Sequence, residues 1–128
     1  MKKLLFTLTM LAALTCAQAF AANKPKTVIH VINVRFKPEA SKEDIAKGIA
    51  SIETVAGKYK GIKNVWLDPI TVQGGDSKFT HVLVMEFESP EALKKYTDSP
   101  EQKEWYKVWL PIRELSNTHD VTNKETNH

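Results

Sequence analysis

His30-Val31-Ile32-Asn33-Val34-Arg35-Phe36-Lys37-Pro38-Glu39-Ala40 is echoed further along by His81-Val82-Leu83-Val84-Met85-Glu86-Phe87-Glu88-Ser89-Pro90-Glu91-Ala92, with one serine inserted. Each segment alternates as a strand does, breaks at a proline and then becomes helical in composition. A strand-to-helix unit used twice within 128 residues implies one small domain with internal pseudo-symmetry. The repeat also sets a histidine near the start of each strand, so it bears on function as well as fold.

Working outward, Thr27 to Phe36 reads as a strand with Val28, His30, Ile32, Val34 and Phe36 on one face. The other face carries Ile29, Val31, Asn33 and Arg35, so neither face looks fully solvated. Ser41 is a good helix N-cap, with Asp44 in the place of a capping-box partner. Ile45, Ile49, Ile52 and Val55 or Ala56 follow at helical spacing, and Gly61 suits a left-handed cap. Ile62 to Gln73 reads as a strand bent at Asp68-Pro69, because proline cannot donate to a ladder. Gly74-Gly75-Asp76 is a turn signal, and Phe79 to Phe87 is a long strand. Ser89-Pro90 and Ser99-Pro100 are cap-plus-proline helix starts, predicting helices from Pro90 to Thr97 and from Pro100 to Arg113. Leu115 to Val121 reads as a final polar strand.

The order of strand, helix, strand, strand, helix, strand gives an α+β, ferredoxin-like βαββαβ protomer. Helices cover one sheet face only. The bare face would carry Ile29, Val31, Val82 and Val84, and a second copy packed sheet to sheet would bury it. The expected assembly is a homodimer forming an α/β barrel.

Residues 1–22 stand apart from this domain. Lys2 and Lys3 precede an apolar run from Leu4 to Leu14, then Ala17-Gln18-Ala19-Phe20-Ala21-Ala22. This pattern describes a cleavable signal peptide, and the run is shorter than the ~20 residues of a spanning helix. Cleavage after Ala19 or after Ala21 fits equally. The expected location is periplasmic or secreted, with the domain over 27–122 and a flexible tail over 123–128. Cys16, the single cysteine, would leave with the signal. Ala13 and Thr15 match a lipobox poorly, which disfavours a lipoprotein acylated at Cys16. Removing Lys2 and Lys3 leaves 16 basic against 15 acidic residues, interspersed and without a basic stripe. That disfavours nucleic acid as a partner, and membrane as well once the signal is cleaved.

Val28-Ile29-His30-Val31, Phe36-Lys37-Pro38, Phe79-Thr80-His81-Val82 and Phe87-Glu88-Ser89-Pro90-Glu91-Ala92-Leu93 together resemble the stress-responsive dimeric alpha/beta-barrel (Dabb) family. Tyr96, Ser99-Pro100-Glu101-Gln102 and Asp120 continue the match. The resemblance implies a dimeric barrel with a cavity between sheet and helices. It also implies either a stress-related role or, as in one branch, cofactor-free cyclisation of polyketides. That branch uses a tyrosine and a histidine at the second-helix bend, supported by histidines on the first and third strands. Those positions fall here on Tyr96, Gln102, His30 and His81. Gln102 replaces the catalytic histidine, and an amide does not titrate near neutral pH. Asp68 stands where the family commonly has glycine.

His30 and His81 invite a metal reading, but the first and third strands run antiparallel, so residues near their starts lie at opposite ends. No metal and no cofactor is expected. His81 reads as structural. The expected pocket is mainly apolar, formed by His30, Ile32, Val34, Ile49, Ile52, Leu83, Tyr96, Gln102, Trp105 and Trp109. The leading reading is a protein that binds a small apolar or aromatic molecule. A second is a cofactor-independent cyclase or isomerase with His30 as base and Tyr96 as donor. A third is a dimeric stress or interaction protein without a ligand. Trp105, Tyr106 and Trp109 of the last helix could stack on a flat ligand, but aromatics at helical spacing are more often plain core.

Overall fold

A computed structural model describes residues 22–123. Cys16, all but the last residue of the expected signal peptide and all but the first residue of the expected tail lie outside the described residues. The chain runs β1 (Val28–Phe36), α1 (Lys42–Lys58), β2 (Ile62–Trp66), β3 (His81–Phe87), α2 (Pro90–Tyr96), α3 (Pro100–Trp109) and β4 (Arg113–Thr122). The strands form one antiparallel sheet in the order β2-β3-β1-β4, so the two copies of the repeated phrase lie side by side at its centre. This is the α+β, ferredoxin-like arrangement.

The capping chemistry explains where the helices begin. Ser41 Oγ accepts the Asp44 N–H at 3.0 Å and donates to the Asp44 carboxylate at 2.7 Å. One hydroxyl thus makes both bonds, instead of the carboxylate reaching the Ser41 backbone. Ser89 accepts from the Ala92 N–H and Ser99 from the Gln102 N–H, each with proline in the first turn. Between α2 and α3 the chain bends at Asp98, whose φ is 64°.

Four boundaries differ from the sequence reading, each for a local reason. Gly61 is not a left-handed cap, because α1 ends on Tyr59 at φ −96°. Its lack of a side chain instead permits close approach: a Cβ there would fall 2.6 Å from Tyr59 Cε1 and 2.9 Å from Ala92 Cβ. β2 stops at Trp66, because Pro69 has no N–H to donate and keeps only a single bridge to His81. β3 starts at His81 rather than Phe79. α3 stops at Trp109, because Pro111 cannot continue the hydrogen-bond ladder, and this frees Arg113 to begin a ten-residue β4.

The core lies between the helices and one sheet face. Val28, Ile32, Val34 and Phe36 of β1 and Leu83, Met85 and Phe87 of β3 meet Ile52, Val55, Tyr96, Trp105 and Trp109. The opposite face holds Ile29, Val31, Val82 and Val84 with no helix over them. Trp66 and Val121 beside them are 51% and 58% exposed.

Candidate functional site

Strand register places His30 directly opposite Asp120 on β4. His30 Nδ1 lies 2.6 Å from Asp120 Oδ1, a hydrogen-bonded ion pair when the ring is protonated. The ring also stands edge-on to Phe87, with centroids 5.9 Å apart. When Nδ1 carries the proton donated to the carboxylate, Nε2 holds the free lone pair.

His30 opens onto a groove of about 230 Å³ between the β1–β4 edge and α3. The α3 wall is Gln102, Trp105, Tyr106 and Trp109, with Thr97 at the bend; the floor is Ile32 with Arg113, Ser116 and Thr118 of β4. β4 supplies this polar floor because Ser116, Thr118 and Asp120 pair with Val34, Ile32 and His30, which face the helices. The groove is therefore richer in polar side chains than the apolar pocket read from the sequence.

Of the expected pocket residues, His30, Ile32, Gln102, Trp105 and Trp109 line this groove. Val34, Ile52, Leu83 and Tyr96 are buried in the core, and Ile49 is partly buried at its margin. Gln102 is buried and held: its Oε1 accepts the Asp98 N–H at 2.7 Å, fixing the α2–α3 bend. Tyr96 packs between Phe87 and Tyr59, with centroids 5.2 and 5.4 Å away. Its hydroxyl is enclosed and has no hydrogen-bond partner among the described residues. Burial first, then Tyr106 and Glu101, holds that phenol well above the ordinary tyrosine range, so it stays protonated.

His81 sits at the other end of β1, opposite Val34, while His30 pairs with Met85. Its Nδ1 lies 3.0 Å from Thr80 Oγ1 and its ring meets Phe36 edge-on. Burial lowers its pKa below the ordinary histidine value. His119 faces the helix-free side, opposite Val31. Among the described residues no group of three or more His, Cys, Asp or Glu side chains could hold a metal ion, and no helix is long and apolar enough to cross a membrane.

A larger hollow of about 380 Å³ lies between α1 and α3, lined by Ser51, Lys58, Glu104, Trp105 and Val108 among others. It contains no histidine, and its charged rim faces solvent. The titratable pair and the convergent polar groups belong to the smaller groove.

Asp120 entered the sequence reading only through the family resemblance, and Arg113 was placed at a helix end. The signal for both was available in principle. Once β1 and β4 are antiparallel neighbours, the alternation of β4 puts Ser116, Thr118 and Asp120 on the face shared with His30.

An α+β, ferredoxin-like protomer with a groove between sheet and helices defines the class. The family pattern described as Stress responsive A/B Barrel Domain matches residues 28–123, and the chain belongs to that Dabb family. Among solved structures, it is similar to At3g17210 of Arabidopsis thaliana (22% identity, TM-score 0.69, covering 79% of this chain and 99% of that one). It is also similar to the hydroxynitrile lyase of Passiflora edulis (22%, TM-score 0.69, 80% and 97%). A third is a dimeric ferredoxin-like protein from Bacteroides fragilis (17%, TM-score 0.61, 78% and 99%). No curated protein matches this chain.

Proposed function

We propose that the mature chain is an exported homodimer that binds a small planar molecule in the groove at His30. The observation that carries this reading is the His30–Asp120 pair at 2.6 Å, opening onto a groove of about 230 Å³. Asp120 holds the imidazole in one orientation, which leaves Nε2 to meet a ligand. Trp105, Tyr106 and Trp109 supply flat apolar surface alongside, while Ser116 and Thr118 offer hydroxyls. Export is supported by the basic start, short apolar run and small residues of the first 22 positions. The dimer is supported by the apolar helix-free face and by the dimeric state of the Bacteroides fragilis neighbour.

Native mass spectrometry of the protein purified from the exported fraction of its own host tests all three parts together. The expected result is a chain lacking its first 19 or 21 residues, twice the chain mass, and a co-purified small molecule that is lost in His30→Ala. A full-length chain, a strict monomer or an empty groove would each refute its own part.

A second reading is favoured by the same pair. A carboxylate on Nδ1 stabilises the imidazolium formed when Nε2 removes a proton, which suits a cofactor-independent lyase, cyclase or isomerase. A hydroxynitrile lyase shares the fold at low identity. Tyr96 would serve only a ligand reaching its enclosed hydroxyl. Deuterium exchange into an aryl ketone, catalysed by the protein and lost in both His30→Ala and Asp120→Ala, would establish the enzyme. Ligand binding with no exchange would leave the binding reading alone.

A further inference from the structure

We infer that the groove takes an elongated organic carboxylate, with its carboxylate on Arg113 and its other end at His30. This deepens the small-molecule reading above and rests on it. The argument begins with the donors and acceptors that line the groove. Arg113 is half-buried at the start of β4, and its guanidinium has no ion pair or hydrogen bond among the described residues. Its neighbours in sequence and space do not leave it that way for want of acids. Glu114, next in the chain, points to the opposite sheet face and is taken by Arg35 at 2.8 Å. Trp105, on the facing wall, has its indole N–H buried without an acceptor among the described residues.

The single carboxylate on the groove's side of β4, Asp120, is engaged by His30. The lining therefore holds unspent donors and no unspent anion. A half-buried guanidinium gains most from a planar, two-oxygen acceptor that can take parallel N–H bonds. That describes a carboxylate better than a neutral carbonyl.

Orientation follows from where the charges lie. Arg113 pairs with Phe36 and Asp120 with His30, so the two ends of the floor are six residues apart along β1, about 20 Å between Cα atoms. A ligand carboxylate is attracted at the Arg113 end and repelled by Asp120 at the other. Its body lies along Thr118, Ser116, Tyr106 and Trp109 between them, and its far end meets the imidazole. A groove of about 230 Å³ is smaller than the ~300–1,000 Å³ of drug-sized sites, which limits the body to one ring with a short chain.

The test uses ω-phenylalkanoates from phenylacetate to 6-phenylhexanoate, each compared with the phenylalkanol of the same length. Binding to the purified protein is measured by calorimetry, and the contact is located by the arginine Nε signals in NMR. The expected result is at least one chain length whose carboxylate binds tenfold or more tighter than its alcohol. Added salt should narrow that gap, Arg113→Gln should remove it, and Arg113→Lys should keep part of it. Equal binding of acid and alcohol would overturn the carboxylate assignment while leaving the groove a small-molecule site. So would a preference that persists in Arg113→Gln. No binding by any member of either series would overturn the assignment and the small-molecule reading together.

Discussion

At Tyr96 a hydroxyl is shut inside the core with no hydrogen-bond partner among the described residues, an arrangement that ordinarily costs about 1–3 kcal/mol. The ring itself is well placed against Phe87 and Tyr59. Tyr96→Phe keeps the ring and removes the orphaned group, so the variant should be more stable by about 1 kcal/mol, read from the urea midpoint. A loss of stability instead would show that the hydroxyl has a partner, such as a bound molecule. His81 makes a separate prediction. Burial depresses its folded-state pKa below the ordinary 6.5, so the fold favours the neutral ring. Above pH 6.5 that preference has no cost, because the unfolded chain is neutral too. As pH falls below 6.5 the unfolded state takes up a proton first, and stability declines until the folded-state pKa has been passed. His81→Gln removes this titration, so denaturation between pH 7.5 and pH 5 should show a shallower acid limb than wild type. Equal limbs would mean that His81 does not contribute.

Among the elements, those whose ends are written in side chains were legible and those decided by tertiary contact were not. Ser41, Ser89 and Ser99 announce three helix starts, and all three hydroxyls cap as the sequence implies. The alternation of Val28 to Phe36 sets which face of β1 meets the helices. Pro69 and Pro111 were visible too, yet they shorten β2 and α3 further than an apolar pattern suggests, since pattern does not count lost N–H donors. The His30–Asp120 pair was hidden because it joins residues 90 apart, and only the β1–β4 register brings them together. Gly61 belongs to the same category: its role depends on where α2 comes to rest. A side chain there would press Tyr59, whose hydroxyl donates to Ala92 O at 2.6 Å and so cannot swing clear without losing that bond. Gly61→Ala should therefore destabilise the protein by about 1–3 kcal/mol. The far-ultraviolet spectrum should be retained while the thermal midpoint drops. An unchanged midpoint would mean that the α1–β2 turn relaxes freely.

For the molecule as a whole, the helix-free sheet face is where the proposed dimer is put to the test. A solvated antiparallel face alternates to polar residues, whereas this one presents Ile29, Val31, Val82 and Val84 at its centre, flanked by Trp66 and Val121. Its polar groups are settled sideways: Asn33 donates to Asn117 across β1 and β4, Arg35 pairs with Glu114, and Asn64 donates to Glu86. What is left in the middle is apolar, half-buried and without a helix over it, and residues 23–128, with 16 basic against 15 acidic side chains, give two copies little charge to repel each other. Packing the sheets of two protomers together would cover this face without touching the groove, which lies on the helix side. Val84→Glu tests it. Val84 lies on a central strand, and across a two-fold interface the change would bury two carboxylates without partners, at a cost of several kcal/mol. Sedimentation equilibrium should show the wild type at twice the chain mass and the variant as a monomer, while Val84→Ala stays dimeric. Because the substituted side chain points away from the core, the variant monomer should keep its secondary structure. It should also keep whatever ligand affinity the His30 groove has, since no groove residue comes from the second copy in this arrangement. A dimer that survives Val84→Glu would place the interface elsewhere.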